Sequence, residues 1–145
     1  MMTSFKQDLL NGIHAFGTTV ARGGTGADSF KAALYLTSAS IGAATTAYSA
    51  TGEVSGTGYT AGGVAVPAFA APATSGTTAF TTPGGSIVYT TVTLTTAFDC
   101  VLIYNSTQSN KAVSSHTFGA QTVTAGTLTL TMPSNDATNG LERIA

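Results

Sequence analysis

The chain has 145 residues, of which only 8 % are charged, against a usual share of about 25 %. Its five Lys/Arg are spread over positions 6, 22, 31, 111 and 143, which argues against a basic patch able to neutralise a row of phosphates, and so against nucleic acid as partner. Hydrophobic residues make up 43 % and the formal net charge is −1, a balance unlike that of disordered chains; no segment approaches the roughly 18 apolar residues of a membrane span.

Thr and Ser occupy most polar positions, and Ala and 17 Gly fill much of the rest. A branched Cβ restricts χ1 against the preceding helical turn, so Thr favours strands. The expected class is all-β, an antiparallel β-sandwich of jelly-roll or Ig-like form, with a short N-terminal helical arm.

The helix signal lies at residues 4–11, with Ser4 as candidate cap, Phe5, Leu9 and Leu10 on one face, and Gly12 as terminator. Phe5, Leu9, Ile13 and Phe16 could form an apolar stripe that either covers one end of a β core or docks on a neighbouring subunit. The Gly-rich run Arg22-Gly23-Gly24-Thr25-Gly26 reads as a hinge, dividing the chain into an arm at 1–26 and a single sandwich domain at 27–145. On that division, removing residues 1–22 should leave the fold intact. Asp8, Asn11, Gly12 and His14 interrupt anything resembling a secretory signal.

Phe30–Thr37 reads as the first strand, followed by a small, polar and Gly-rich stretch to residue 63. Val64-Ala65-Val66 is a short strand stopped by Pro67, and Pro67 and Pro72 bracket Phe69 in an extended edge segment. Residues 87–96 alternate, with Val88, Val92 and Leu94 on one side and threonines on the other. Residues 98–105 are nearly continuous in apolar residues, as for a strand buried on both faces. Two more strands are expected at 111–118 and 121–132, the latter with a turn or bulge at Gly126. Seven or eight short strands result.

Chemistry is sparse in this pattern. His14 reads as an exposed arm residue and His116 as a surface or satisfied half-buried group; neither has a carboxylate or thiol at suggestive spacing. Cys100, alone in an apolar run, reads as a small core residue. One Cys and two distant His are too few for a zinc site, and Gly23-Gly24-Thr25-Gly26 lacks the Gly-Lys-Ser/Thr of a phosphate loop, so neither metal nor cofactor is expected. Asn105-Ser106-Thr107 is read as turn chemistry rather than a glycosylation acceptor.

Several runs look like a recurring text: Phe30-Lys31-Ala32-Ala33-Leu34-Tyr35, Ala47-Tyr48, Glu53 to Gly63, Cys100 to Asn105, Asn110 to Val113, His116 to Gly119, and Val123 to Leu130. Together they resemble small virion structural proteins of tailed bacteriophages, over roughly residues 28–145. A further likeness, to capsid cement or decoration proteins, rests on size, β class and composition. The resemblance implies a non-enzymatic protein on the capsid exterior that bridges neighbouring major capsid subunits and associates with itself at a symmetry axis. Phe5, Leu9, Ile13 and Phe16 would be its exposed anchors. The alternative is a tail or neck module that binds a receptor or glycan, with Tyr48, Tyr59 and Phe69 as candidate stacking rings.

Overall fold

The computed structural model describes residues 1–17 and 26–145; residues 22–25 of the hinge expected at 22–26 lie outside the described residues. Among the described residues one helix, α1 (Thr3–Leu10), precedes seven strands: β1 (Phe30–Leu36), β2 (Val64–Ala65), β3 (Ala73–Ser75), β4 (Thr78–Thr81), β5 (Ile87–Asn105), β6 (Lys111–Leu130) and β7 (Glu142–Ile144). They form two antiparallel sheets, one ordered β2-β1-β5-β6 and the other β3-β4-β7. The all-β class and the helical N-terminus agree with the sequence reading.

Two expected breaks are absent. The segments at 87–96 and 98–105 form one 19-residue strand, and those at 111–118 and 121–132 form one 20-residue strand ending at Leu130. The long hairpin absorbs its pattern changes in bulges rather than turns. Thr91 adopts φ 53° and shifts the phase of β5, so Ile87, Tyr89, Val92 and Leu94 are all buried while Val88 faces out. Val88 was expected on the apolar side and is 39 % exposed. Near Gly126 the register shifts and Ala125 takes φ 46°, in line with the irregularity expected there.

The core is centred where β1 meets the proximal part of β5. Ala32–Tyr35 and Val101–Tyr104 are all buried, because both faces of this pair are covered. Strands β3, β4 and β7 were not anticipated. They are three or four residues long, and β3 is wholly exposed, so none of the three shows a run of alternating apolar residues.

The described part of the arm is no appendage. Met2 and Phe5 are each 1 % exposed and belong to the core cluster. The Met2 amide donates to the Val113 carbonyl at 3.1 Å, and the Thr3 amide to Ala43 at 3.0 Å. Helix α1 has no side-chain cap; Met2 precedes it, and Ser4 sits inside the first turn. Gly12, at φ 66°, closes it as the sequence indicates. Removing residues 1–22 would strip core residues and uncover Phe30 and Val113, so an unaffected fold is no longer the expectation.

Candidate functional site

Clusters of polar and of apolar side chains stand out, and their geometry decides what each can do.

The first is built on Glu53, which the sequence offered only as one of six scattered acids. Tyr48 and Tyr59 donate their hydroxyls to its two oxygens at 2.6 and 2.7 Å, and the Gly62 amide donates at 2.7 Å. All five tyrosines gather here. Tyr48 stacks on Tyr104 and Tyr59 on Tyr89, with ring centres 4.8 and 5.9 Å apart. Tyr35, Tyr89 and Tyr104 donate to the carbonyls of Ser49, Ala32 and Gly62. Burial first, and then the nearby Glu53 charge, raise the Tyr35 phenol to about 12; the other four phenols are also raised, chiefly by burial. Every hydroxyl is committed within the protein. Gly63 shows how closely this loop lies on the sheet: an added Cβ would sit 1.7 Å from the Ala32 carbonyl oxygen, and φ is 70°.

Tyr48 and Tyr59, candidate sugar-stacking rings only under the tail or neck alternative, fasten the 47–63 loop to β1 and β5. Phe69 is 2 % exposed and packs edge-on against Phe16 and Phe30.

The second cluster brings together residues that sequence spacing left apart. Ser114 donates its hydroxyl to Glu142, which is 6 % exposed, and lies 3.0 Å from Nε2 of His116. His116 Nε2 is 3.8 Å from the same carboxylate. With its one proton on Glu142, Ser114 accepts from His116, the reverse of the direction in which a histidine activates a serine nucleophile. The hydroxyl acts as a bridge that seats β7 against β6. His116 is half-buried, as expected, and Cys100 is a core thiol that burial pushes up to about 11.

On the other side, the arm is pinned by carboxylates. Lys111 pairs with Asp8 at 2.9 Å. Asp28 accepts from the Ala15 amide and from Asn105 Nδ2, each at 2.8 Å. Asn105 Nδ2 also lies 3.0 Å from His14 Nδ1, which leaves the ring proton on Nε2, facing Asp8 at 3.8 Å. His14, expected to be exposed, has a fully buried side chain. Asn105 Oδ1 accepts from the amides of Thr107 and Gln108, so the Asn-Ser-Thr run is indeed a turn.

The third cluster is apolar. Two adjoining grooves, about 430 and about 580 Å³ in volume, run between α1 and strands β4 and β7, sharing Met1, Leu9 and Ile144. The first is floored by Phe5, Phe16 and Phe80; Lys6, Leu10 and Arg143 line the second. Among the described residues four large apolar side chains are markedly exposed, and three of them, Met1, Leu10 and Ile144, meet here. Leu10 is 91 % exposed.

The four arm residues proposed as exposed anchors fare differently. Phe5 is buried, against rings of His14 and Phe16; Phe16 stacks on Phe30 at 4.9 Å. Leu9, Ile13 and Phe16 are partly buried, with Leu9 and Phe16 packed against the core. The projecting residue is Leu10, which the sequence placed on the same face. Leu9 follows Phe5 by one helical turn and faces inward, whereas Leu10 lies about 100° further round. Ile144 and Arg143 gave no sequence signal, since only the β4–β7 pairing brings them beside α1.

No protein family, curated protein or solved structure matches the chain.

Proposed function

We propose that this chain is a non-enzymatic virion protein of the capsid cement or decoration type. It would bind the outer surface of a phage capsid and bridge neighbouring major capsid subunits, with copies associating at symmetry axes. The observation that carries the reading is the gathering of Met1, Leu10 and Ile144 beside a phenylalanine-floored groove. An apolar patch of this kind on a chain with few charges suits a protein that docks on a repeated lattice, where many weak contacts add through avidity. The virion resemblance of residues 28–145 supports the same class. The docking patch is the rim of the arm, with Leu10 in place of Phe5 as anchor.

The polar clusters favour no competing chemistry. Ser114, His116 and Glu142 hold two strands together, and Tyr48 and Tyr59 are each stacked on a β5 tyrosine and bonded to Glu53.

Quantitative mass spectrometry of purified particles tests the reading. A copy number comparable to that of the major capsid subunit is expected. A handful of copies would move the protein to the neck or tail, and absence would end the virion assignment.

A further inference from the structure

The formal charge of −1 conceals an uneven surface, because Asp8, Asp28 and Glu142 are buried and Glu53 is bonded within the 47–63 loop. Asp8 is paired with Lys111, Asp28 with Asn105 and the Ala15 amide, Glu53 with two tyrosines, and Glu142 with Ser114. Asp136 accepts from Thr138 and Asn139 in its own loop, chiefly the Asn139 side chain, which holds its carboxyl below the usual range. Only Asp99 of the six acidic side chains is outside such a bond among the described residues.

The cations are distributed in the opposite way. Lys6 and Arg143, two of the five in the chain, both line the groove that displays Leu10 and Ile144. Lys6 has no ion-pair partner among the described residues. Arg143 donates to the carbonyls of Ala137 and Thr138 and lies near enough to Asp136 to help lower its carboxyl pKa, with no ion pair between the two among the described residues. The docking patch is therefore apolar at its centre and positive at its rim. A second copy would bring the same two cations to the patch, like charge facing like.

We infer that the patch receives an acidic amphipathic helix of another protein, with aliphatic side chains on one face and carboxylates beside them. The aliphatic face enters the groove between α1 and β7, against Leu9, Leu10 and Ile144, and the carboxylates meet Lys6 and Arg143. This rests on the docking role proposed above for the same patch, and it names the chemistry of the partner surface.

The test uses the full chain and a synthetic helical peptide with Leu at i and i+4 spacing flanked by Glu, and its counterpart with every Glu replaced by Lys. Methyl chemical shifts of Leu10 and Ile144 are followed during titration. The acidic peptide should shift both, with the lysine counterpart weaker by at least about fivefold. Lys6→Glu should weaken the acidic peptide by about fivefold, and more at low salt than at high salt. Leu10→Ser, at a side chain that supports no packing, should weaken it while leaving the thermal midpoint unchanged. Equal affinity for the two peptides, shifts confined to other methyls, or no binding would overturn the inference. Concentration-dependent shifts at these methyls without peptide would overturn it in favour of a second copy. Absence from particles, by contrast, would remove the virion assignment without touching the peptide result.

Discussion

Two segments without regular strand structure of their own are tied to the same sheet by carboxylates, and they are tied in different ways. The 47–63 loop is held by Glu53 through neutral phenols and one amide. The N-terminal segment is held by Asp8 and Asp28 through an ammonium, an amide side chain and a backbone N–H. The first clasp depends on donors that keep their protons only while pH stays below the phenol range. The second includes a full ion pair whose cation, Lys111, is 38 % exposed in its side chain. A carboxylate can therefore fasten a loop by short hydrogen bonds from neutral groups or by charge, and solvent screening weakens the second more.

The comparison can be broken most severely at Gly63. Gly63→Ala forces a methyl into the Ala32 carbonyl and a side chain into positive φ, so the loop must lift from β1. A loss of about 4 kcal/mol or failure to fold is expected, read by chemical denaturation. Glu53→Ala comes next. It leaves two hydroxyls and one amide without their acceptor, and a loss of about 3 kcal/mol is expected from the same measurement. If that loss were below about 0.5 kcal/mol, the clasp would be decorative.

Alkaline titration sharpens the contrast. The folded-state pKa of Tyr35 is raised from 10.0 to about 12, so the stabilisation is fully present below pH 10 and is lost as pH rises toward about 12. The other tyrosines are shifted the same way, which places cooperative unfolding in that window. Circular dichroism with phenolate absorbance would follow it; phenolate forming near pH 10 without loss of structure would contradict the buried cluster. The smallest effect is expected at the other clasp. Lys111→Met should cost about 1–2 kcal/mol and raise hydrogen exchange at the Met2 and Ala15 amides while sparing the Gly62 amide. Equal loosening at Gly62 would show that the two clasps act as one.

Much of this was legible beforehand where a single strand carries its own pattern. Phe30–Leu36 and the apolar run from Phe98 to Asn105 declared themselves, because burial on both faces demands continuous apolar residues. The long hairpin was read as four strands, because register shifts on both sides of the Phe98–Gln121 pair change the alternation without ending the ladder. The candidate site was legible only in part. An apolar stripe on the arm was visible, but the division between Phe5 inside and Leu10 outside depends on which face of α1 meets β6. The part played by Glu53 was hidden for a different reason. Its partners lie up to nine residues away in the loop, and the tyrosines stacked on them come from β5.

The sequence by itself determined the β class, the helix at the start, the core strand pair and a surface poor in charge. Those follow from side-chain shape, period and composition, which act locally. Tertiary structure decided that the arm folds back on the β sheets and that Asp8, Asp28 and Glu142 turn inward. It also decided that Leu10, Lys6, Arg143 and Ile144 meet on one patch. Burial and charge pairing between residues more than a hundred positions apart depend on how the two sheets and the helix come together, and no local pattern carries that information.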